Sequence, residues 1–173
     1  MISQTLEKAI NDQINAEFWS AYLYLSMSNH FAHEGYNGIA NWFRVQFQEE
    51  QAHAQIFINY LLARDGKVTL QPIAAVDTEW ESPAAAFAAP LAHEQKVTAL
   101  INNLNSIAVD EKDFATQAQL QWFITEQVEE EETARDYIDT LKKIGDNGYG
   151  LYMFDKDLAA RTYAVPAPLA GKE

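Results

Sequence analysis

Four long segments of this sequence share one feature, an apolar stripe at helical spacing that a glutamate interrupts near its middle. The interrupting residues are Glu17, Glu50, Glu94 and Glu130. The first stripe reads Leu6, Ile10, Ile14, Glu17, Ala21 and Leu25, in steps of three or four residues. This period gives each helix one face toward a shared core. Packed together, the helices would bring the four carboxylates to one level inside a bundle.

Glycines predict the first helix boundaries. Gly35 and Gly38 separate a first helix, at about residues 3–34, from a second, at about residues 37–65. Gly66 is then the expected left-handed residue just beyond the second helix.

Polar caps predict the remaining helices. Ser82 and Pro83 are a typical N-cap and first helical residue for a third helix that reaches about residue 110. Asp113 can cap a fourth helix, which ends just before Gly145. A short fifth helix is expected at about residues 149–160.

The segment between the second and third helices is too long for a tight turn. Its ~16 residues could extend over about 50 Å, whereas a bundle helix of this length spans about 40 Å. The segment can therefore travel the length of the bundle and make the second and third helices parallel. The prediction is an all-α four-helix bundle with a long crossover and a short fifth helix, in one domain over residues 1–160, with a flexible tail at 161–173.

Composition narrows the chemistry. The chain has no cysteine, which excludes thiolate zinc sites and cysteine-ligated iron–sulfur clusters and leaves His, Asp and Glu as metal ligands. The net charge of -13 repels nucleic acid and anionic lipid and attracts cations, although charge alone is better explained by solubility. No apolar run is long enough for a membrane span and the N-terminus lacks a signal-peptide pattern, so a cytoplasmic location is expected.

The four glutamates have two interpretations. A single glutamate in an apolar stripe is best explained as a stripe edge from which the side chain extends to water. Four such residues on four helices favour convergence, and four buried carboxylates without compensation would be prohibitively costly. Two divalent cations would neutralise the cluster, and without them some of the carboxyls should protonate.

The ligand types indicate the metal. The spacing of Glu50 and His53 puts both side chains on one helix face, where they can bind a single ion while Glu50 reaches a second. Oxygen donors with one imidazole and no thiolate suit iron, manganese or zinc.

At these positions the sequence resembles the prokaryotic non-haem ferritins, over nearly the whole chain. The Glu-x-x-His pattern in a four-helix bundle is a known feature of ferritin-like di-iron proteins. The matching segments are Gln13-Ile-Asn-Ala-Glu17 with Tyr24, Gln48-Glu-Glu-Gln-Ala-His53, His93-Glu94, Gln121-Trp-Phe, Glu126-Gln-Val-Glu-Glu130, Gly148-Tyr-Gly-Leu-Tyr152 and Asp155-Lys156. The set is specific, although each segment alone would be weak.

The resemblance implies a ferroxidase centre with two irons per subunit. Its residues would be Glu17, Glu50 and His53 for the first iron, and Glu50, Glu94 and Glu130 for the second, with Gln127 beside the centre. Tyr24 would be a neighbouring partner and electron donor, or alternatively a packed core tyrosine with a satisfied hydroxyl. A third iron position would use Glu49, Glu126 and Glu129 with Glu130 shared, unless these residues form a solvated acidic face.

Departures from related families matter as well. The haem-ligating Met of bacterioferritins would fall at Gln51, and their second Glu-x-x-His is replaced by Gln127-x-x-Glu130, so no haem is expected. Without cysteine the chain cannot carry the iron domain of rubrerythrins. The DNA-protecting mini-ferritins lack a fifth helix and often carry a basic tail, whereas residues 161–173 contain only Arg161 and Lys172 as bases.

The resemblance further implies a hollow homo-oligomer of twenty-four subunits, with the fifth helix lining its fourfold axes. It would take up ferrous iron, oxidise it with dioxygen or hydrogen peroxide, and store it as ferric oxide, without nucleic-acid or membrane partners. The sequence leaves two alternatives open. One is a soluble di-iron oxidoreductase such as a peroxidase, with no storage role; the other is a purely structural bundle whose buried acids are incidental.

Overall fold

The computed structural model describes residues 2–170, and within them the chain forms five helices and no strand. The helices are α1 (Gln4–His33), α2 (Asn37–Ala63), α3 (Pro83–Asp110), α4 (Phe114–Ile144) and α5 (Gly148–Leu158). The predicted all-α class is confirmed, and every predicted helix lies within a few residues of its expected range.

The expected caps form at three helix boundaries. Ser82 accepts a hydrogen bond from the backbone N–H of Ala85, with Pro83 in the first turn of α3. Asp113 accepts from the N–H of Thr116 at the start of α4. Gly145 follows α4 with a φ of 53°, a conformation that glycine adopts without steric cost.

Two glycine assignments were wrong. Asp65, with φ 59°, is the left-handed residue after α2, and Gly66 follows it and donates its N–H to the carbonyl of Leu61. Aspartate tolerates the left-handed region better than most residues, so the turn did not require glycine at that position. Gly38 does not separate α1 from α2, because it is a buried residue in the first turn of α2.

The long crossover runs along α1 in the direction of that helix. Asn11 exchanges hydrogen bonds with the backbone of residues 67 and 69 near the start of α1. Further along, Ser26 donates to the carbonyl of Asp77 at 2.7 Å, and the rings of His30 and Trp80 meet edge to face near the helix end. The crossover therefore returns the chain to the end where α2 began, and α2 and α3 run parallel as predicted.

The apolar core is split into two clusters, one toward each end of the bundle. One cluster includes Leu23, Phe31, Phe43, Phe87 and Leu141. The other includes Ile14, Phe57, Ile101, Leu120 and Phe123. On every long helix the predicted metal ligands lie between the stretches that contribute to these two clusters, whereas Tyr24 belongs to the first cluster. The polar level therefore has packed apolar side chains on both sides along the bundle axis.

The burial of Tyr24 and Leu25 is the reverse of what the apolar stripe predicted. Tyr24 is buried in the core, whereas Leu25, which the stripe placed there, is partly exposed. The 3.6-residue period does not match steps of four over several turns, so the inward-facing position drifts by one residue toward the end of a stripe.

The fifth helix packs on the start of α2. The Asp155 carboxylate accepts the backbone N–H of Ile39 at 2.8 Å, one of the donors that the first turn of a helix leaves free. Within residues 2–170 no helix has the length and apolar character needed to cross a bilayer. The flexibility of the tail at 161–173 stays a prediction, and residues 171–173 lie outside the described part.

Candidate metal centre

The predicted metal ligands lie mid-helix on the four long helices, at the polar level between the two apolar clusters. Glu17 (α1), Glu50 and His53 (α2), Glu94 (α3) and Gln127 (α4) are at most 4% exposed. Glu130, also on α4, is only partly buried. The helical period of each stripe thus brings residues more than a hundred positions apart in sequence to one interior level.

Glu17, Glu50 and His53 form the tightest group. One potential ligand atom from each lies within 4.8 Å of the other two, and no other trio of His, Asp or Glu side chains within residues 2–170 meets that distance. His53 Nδ1 is 3.4 Å from Glu50 Oε2. The His53 ring packs edge to face against Trp122 and Phe123, and these contacts restrict its orientation.

Burial disfavours the charged form of the carboxylates at this site when no cation is present. Desolvation, followed by the charge of Glu50, raises the pKa of Glu17 well above 4.5. Desolvation also raises the pKa of Glu50 strongly, with Glu94 as the next cause. Loss of water contact raises the pKa of Glu130 to about 8, and Glu94 again adds to the shift. The cluster therefore needs either protons or cations.

The group fits a divalent ion by its donor chemistry. Glu17 Oε1 accepts a hydrogen bond from Gln13 at 2.7 Å, whereas buried Glu17 Oε2 has no hydrogen-bond partner. An orphaned carboxylate oxygen beside a second carboxylate and an imidazole is a ready ligand for iron, manganese or zinc.

Glu94 is held by side chains from two other helices. The Tyr24 hydroxyl donates to Glu94 Oε1 at 2.5 Å, and the Gln127 amide donates to Glu94 Oε2 and to its backbone carbonyl, both at 3.2 Å. Burial, with the Glu94 charge next, raises the pKa of Tyr24 well above 10, so the phenol stays protonated. Tyr24 is therefore both a packed core residue and a hydrogen-bond partner of a predicted ligand.

Two glutamines contact the site although no role was predicted for them. Gln13 bonds Glu17, and the fully buried Gln46 donates to Glu130 Oε2 at 3.0 Å. Each lies four residues before a predicted ligand on the same helix, Gln13 before Glu17 and Gln46 before Glu50. A buried amide one turn from an inward carboxylate is thus a signal that sequence inspection could have used.

The residues predicted for a third position are less enclosed. Glu49 and Glu126 are partly buried, and Glu129 is exposed. Burial raises the pKa values of Glu49 and Glu126, and the charges of Glu129 and Glu49 add to the upward shift at Glu126. Glu49 Oε2 lies 2.7 Å from Arg161 Nη2, a contact that no sequence pattern indicated. The ligand roles of all these residues stay predictions.

Fold and site together define a class of protein. A four-helix bundle that buries carboxylates and one imidazole at a common level, between two apolar clusters, has the arrangement of the carboxylate-type metal-binding bundles.

Comparison with known proteins narrows this class. The ferritin-like domain matches residues 7–144. A bacterial non-heme ferritin from Bacteroides fragilis (strain 638R) is 44% identical over 161 residues, 93% of this chain and 100% of that protein. One from Staphylococcus aureus (strain USA300) is 39% identical over 163 residues, 94% of this chain and 98% of that protein. The chain belongs to the ferritin family.

Solved structures agree with this assignment. An open-pore ferritin from the archaeon Archaeoglobus fulgidus superimposes with a TM-score of 0.93 at 45% identity, over 94% of this chain and 100% of that chain. A humanized archaeal ferritin gives a TM-score of 0.94 at 46% identity, over 95% of this chain and 99% of that chain.

Proposed function

We propose that this chain is an iron-storage ferritin subunit that oxidises ferrous iron at a di-iron centre within the bundle and stores the ferric product as oxide mineral inside a hollow shell. The observation that carries the proposal is the buried trio of Glu17, Glu50 and His53, with the orphaned Glu17 oxygen aimed at no protein donor. Membership of the ferritin family supports iron as the metal.

Iron is the substrate of this site. The first ferrous ion is bound by Glu17, Glu50 and His53. The second is bound by Glu94 and Glu130, with Glu50 shared between the two ions. Two divalent ions among four carboxylates leave the desolvated cluster neutral overall, which removes the cost of burying the acids.

The surrounding side chains keep these ligands in place. Gln127 donates to Glu94 and can also hydrogen-bond a bound oxidant or product. Tyr24 orients Glu94 from α1 and is a candidate electron donor. Glu49, Glu126 and Glu129, with Glu130 shared, are proposed to hold a third iron ion on the side of the centre toward the cavity of the shell.

The paired arrangement matches the redox chemistry. Dioxygen takes up one electron from each ferrous ion and two protons, which gives hydrogen peroxide and two ferric ions. Hydrogen peroxide, as the alternative oxidant, takes two electrons and two protons and gives two waters. Because both electrons leave together, no free one-electron oxygen radical needs to form. Hydrolysis of the ferric product releases protons and yields the mineral.

The proposed setting is a cytoplasmic homo-oligomer of twenty-four subunits, without haem, nucleic-acid or membrane partners. The net charge of -13 supports attraction of cations and disfavours contact with polyanions.

Glu50→Ala tests the centre, because Glu50 is the one residue proposed to bind both ions. We expect the rapid phase of ferrous oxidation, followed by stopped-flow absorbance and oxygen uptake, to slow at least tenfold. Glu50→Gln keeps the side-chain volume and should lose the same phase, which separates lost ligation from a folding defect. Glu132→Ala, which removes an exposed carboxylate of α4, is the matched control. Wild-type initial rates in both Glu50 variants would refute the assignment.

A further inference from the structure

Arg161 is held against α2 although it follows the last helix. The Asn41 side-chain amide donates to the carbonyl of Arg161 at 2.9 Å and to that of Leu158 at 3.2 Å. These bonds fix the backbone just beyond α5 on the outside of α2. The position of the Arg161 side chain is therefore set by folded structure, even though it lies in the segment that was expected to be a flexible tail.

The Arg161 guanidinium contacts an aromatic ring, a backbone carbonyl and a carboxylate. Its carbon lies 4.8 Å from the centre of the buried Trp42 ring, and Nη1 donates to the Trp42 carbonyl at 3.4 Å. Nη2 donates to Glu49 Oε2 at 2.7 Å, between side chains that are only 26% and 21% exposed. A planar fork stacked on an aromatic ring and paired with a carboxylate is restricted in rotation and partly shielded from solvent.

This cation is paired with an acid that lies beside the proposed iron site. Glu49 is the residue before Glu50, and it is one of the acids proposed for the third ferrous ion. Among the described residues, neither Glu126 nor Glu129 is ion-paired with a base, so Arg161 is the basic partner of this acid group.

We propose that Arg161 is a positioning residue that acts as a built-in counter-ion at the third iron position, competing with a third ferrous ion for Glu49. This inference rests on the proposed ferroxidase function. While Arg161 holds Glu49, one carboxylate oxygen is committed to the guanidinium and its positive charge repels a nearby divalent ion. A third ion gains Glu49 as a ligand only when the pair opens. Arg161 thereby favours filling of the two inner positions first.

Anaerobic calorimetric titration of the full-length assembled protein tests this idea, with zinc as a probe that cannot be oxidised and with ferrous iron. Wild type should bind two ions per chain tightly and a third weakly. Arg161→Gln should leave the two tight ions unchanged and bind the third about tenfold more tightly, the effect of removing one nearby positive charge. Arg161→Lys retains charge but cannot reach both Glu49 and the Trp42 carbonyl, so an intermediate affinity is expected.

Two further variants separate competition from a general effect. Arg44→Gln removes an exposed arginine of α2, the helix that carries Glu49, and should change no affinity, because Arg44 bonds Ser28 and Asn29 instead. In a Glu49→Gln background, Arg161→Gln should no longer tighten the third ion, because the contested ligand is gone. If Arg161 had only a structural role, its substitution would lower thermal stability, and the affinity for the third ion would not depend on Glu49 in this way.

The outcomes distinguish this inference from the proposed function. If two ions still bind tightly and the third is unchanged or weaker in both Arg161 variants, the counter-ion role is wrong and the ferroxidase proposal is unaffected. If wild type and Arg44→Gln fail to bind two ions per chain, the proposed function fails, and the inference fails with it.

Discussion

At the scale of single residues, the centre orients its acids with neutral donors. Three buried or nearly buried carboxylates each accept a hydrogen bond from a glutamine amide on the same or another helix. The pairs are Gln13 with Glu17, Gln46 with Glu130 and Gln127 with Glu94. Amides fix geometry but bring no positive charge. The negative charge of the cluster is thus left for cations or protons to balance.

This balance gives the metal-free protein a pH dependence. Burial raises the pKa of Glu130 to about 8 from an ordinary 4.5. Between these values the folded state keeps a proton that the unfolded state has lost, so the stabilisation is complete below 4.5 and disappears as pH rises through about 8. We expect the melting temperature of metal-free protein, measured by calorimetry, to fall across this window.

Two comparisons isolate the cause of that fall. Glu130→Gln removes the titrating group and should flatten the decline, while zinc-loaded wild type should show little decline because ions replace the protons. An identical decline in wild type and Glu130→Gln would contradict the assignment of this pH dependence to Glu130.

Sequence periodicity predicted the buried site residues, but it missed the contacts that depend on how the helices pack on one another. Glu17, Glu50 and Glu94 interrupt apolar stripes, and burial of the stripe makes such an interruption informative. Gln46 likewise lies at an inward-facing position of its helix, one turn before Glu50. The contact of Arg161 with Glu49 spans 112 residues and depends on how α5 docks, which no periodic pattern encodes.

At the scale of elements, α5 docks through backbone contact with α2. A Cβ placed on Gly38 would lie 1.5 Å from the carbonyl oxygen of Asp155, so only glycine permits this approach. From the sequence, Gly38 was predicted to separate two helices. A single glycine can occur in a turn, in a helix cap or at a close contact, and only the element packed against it distinguishes these cases. Ser82 and Asp113 were easier to interpret, since a capping side chain acts on its own helix.

Gly38→Ala should therefore displace α5. We expect a loss of about 1–3 kcal/mol, typical of overpacking, and a lower melting temperature. Hydrogen exchange should speed up in α5 and at Ile39, whose N–H loses its Asp155 acceptor. Gly148→Ala is the matched control, because a Cβ there meets nothing within 4 Å. Equal stability and equal exchange in the two variants would show that the close approach does not hold α5.

At the scale of the whole molecule, the four long helices share one polar level. Each of them crosses this level once and contributes to the same two apolar clusters on either side of it. The bundle is thereby complete within one subunit, but its outer surface is not uniformly polar. On α5, Tyr149 and Tyr152 are 73% and 61% exposed, and aromatic side chains in such positions are typical of contact surfaces.

Assembly size separates storage from the alternative of a free di-iron oxidoreductase. A chain of 19.6 kDa should form a particle of roughly 470 kDa if about twenty-four copies close into a shell, as symmetric self-association of one repeated surface allows. Mass photometry gives this value directly, and electron microscopy after iron loading should show a dense core within an unchanged outer diameter. A double Tyr149→Asp, Tyr152→Asp variant should shift the mass to smaller species, because charge at a buried contact is costly. A dimer that oxidises iron without retaining it would instead favour the oxidoreductase, since the chemistry needs only one subunit whereas mineral storage needs an enclosed volume.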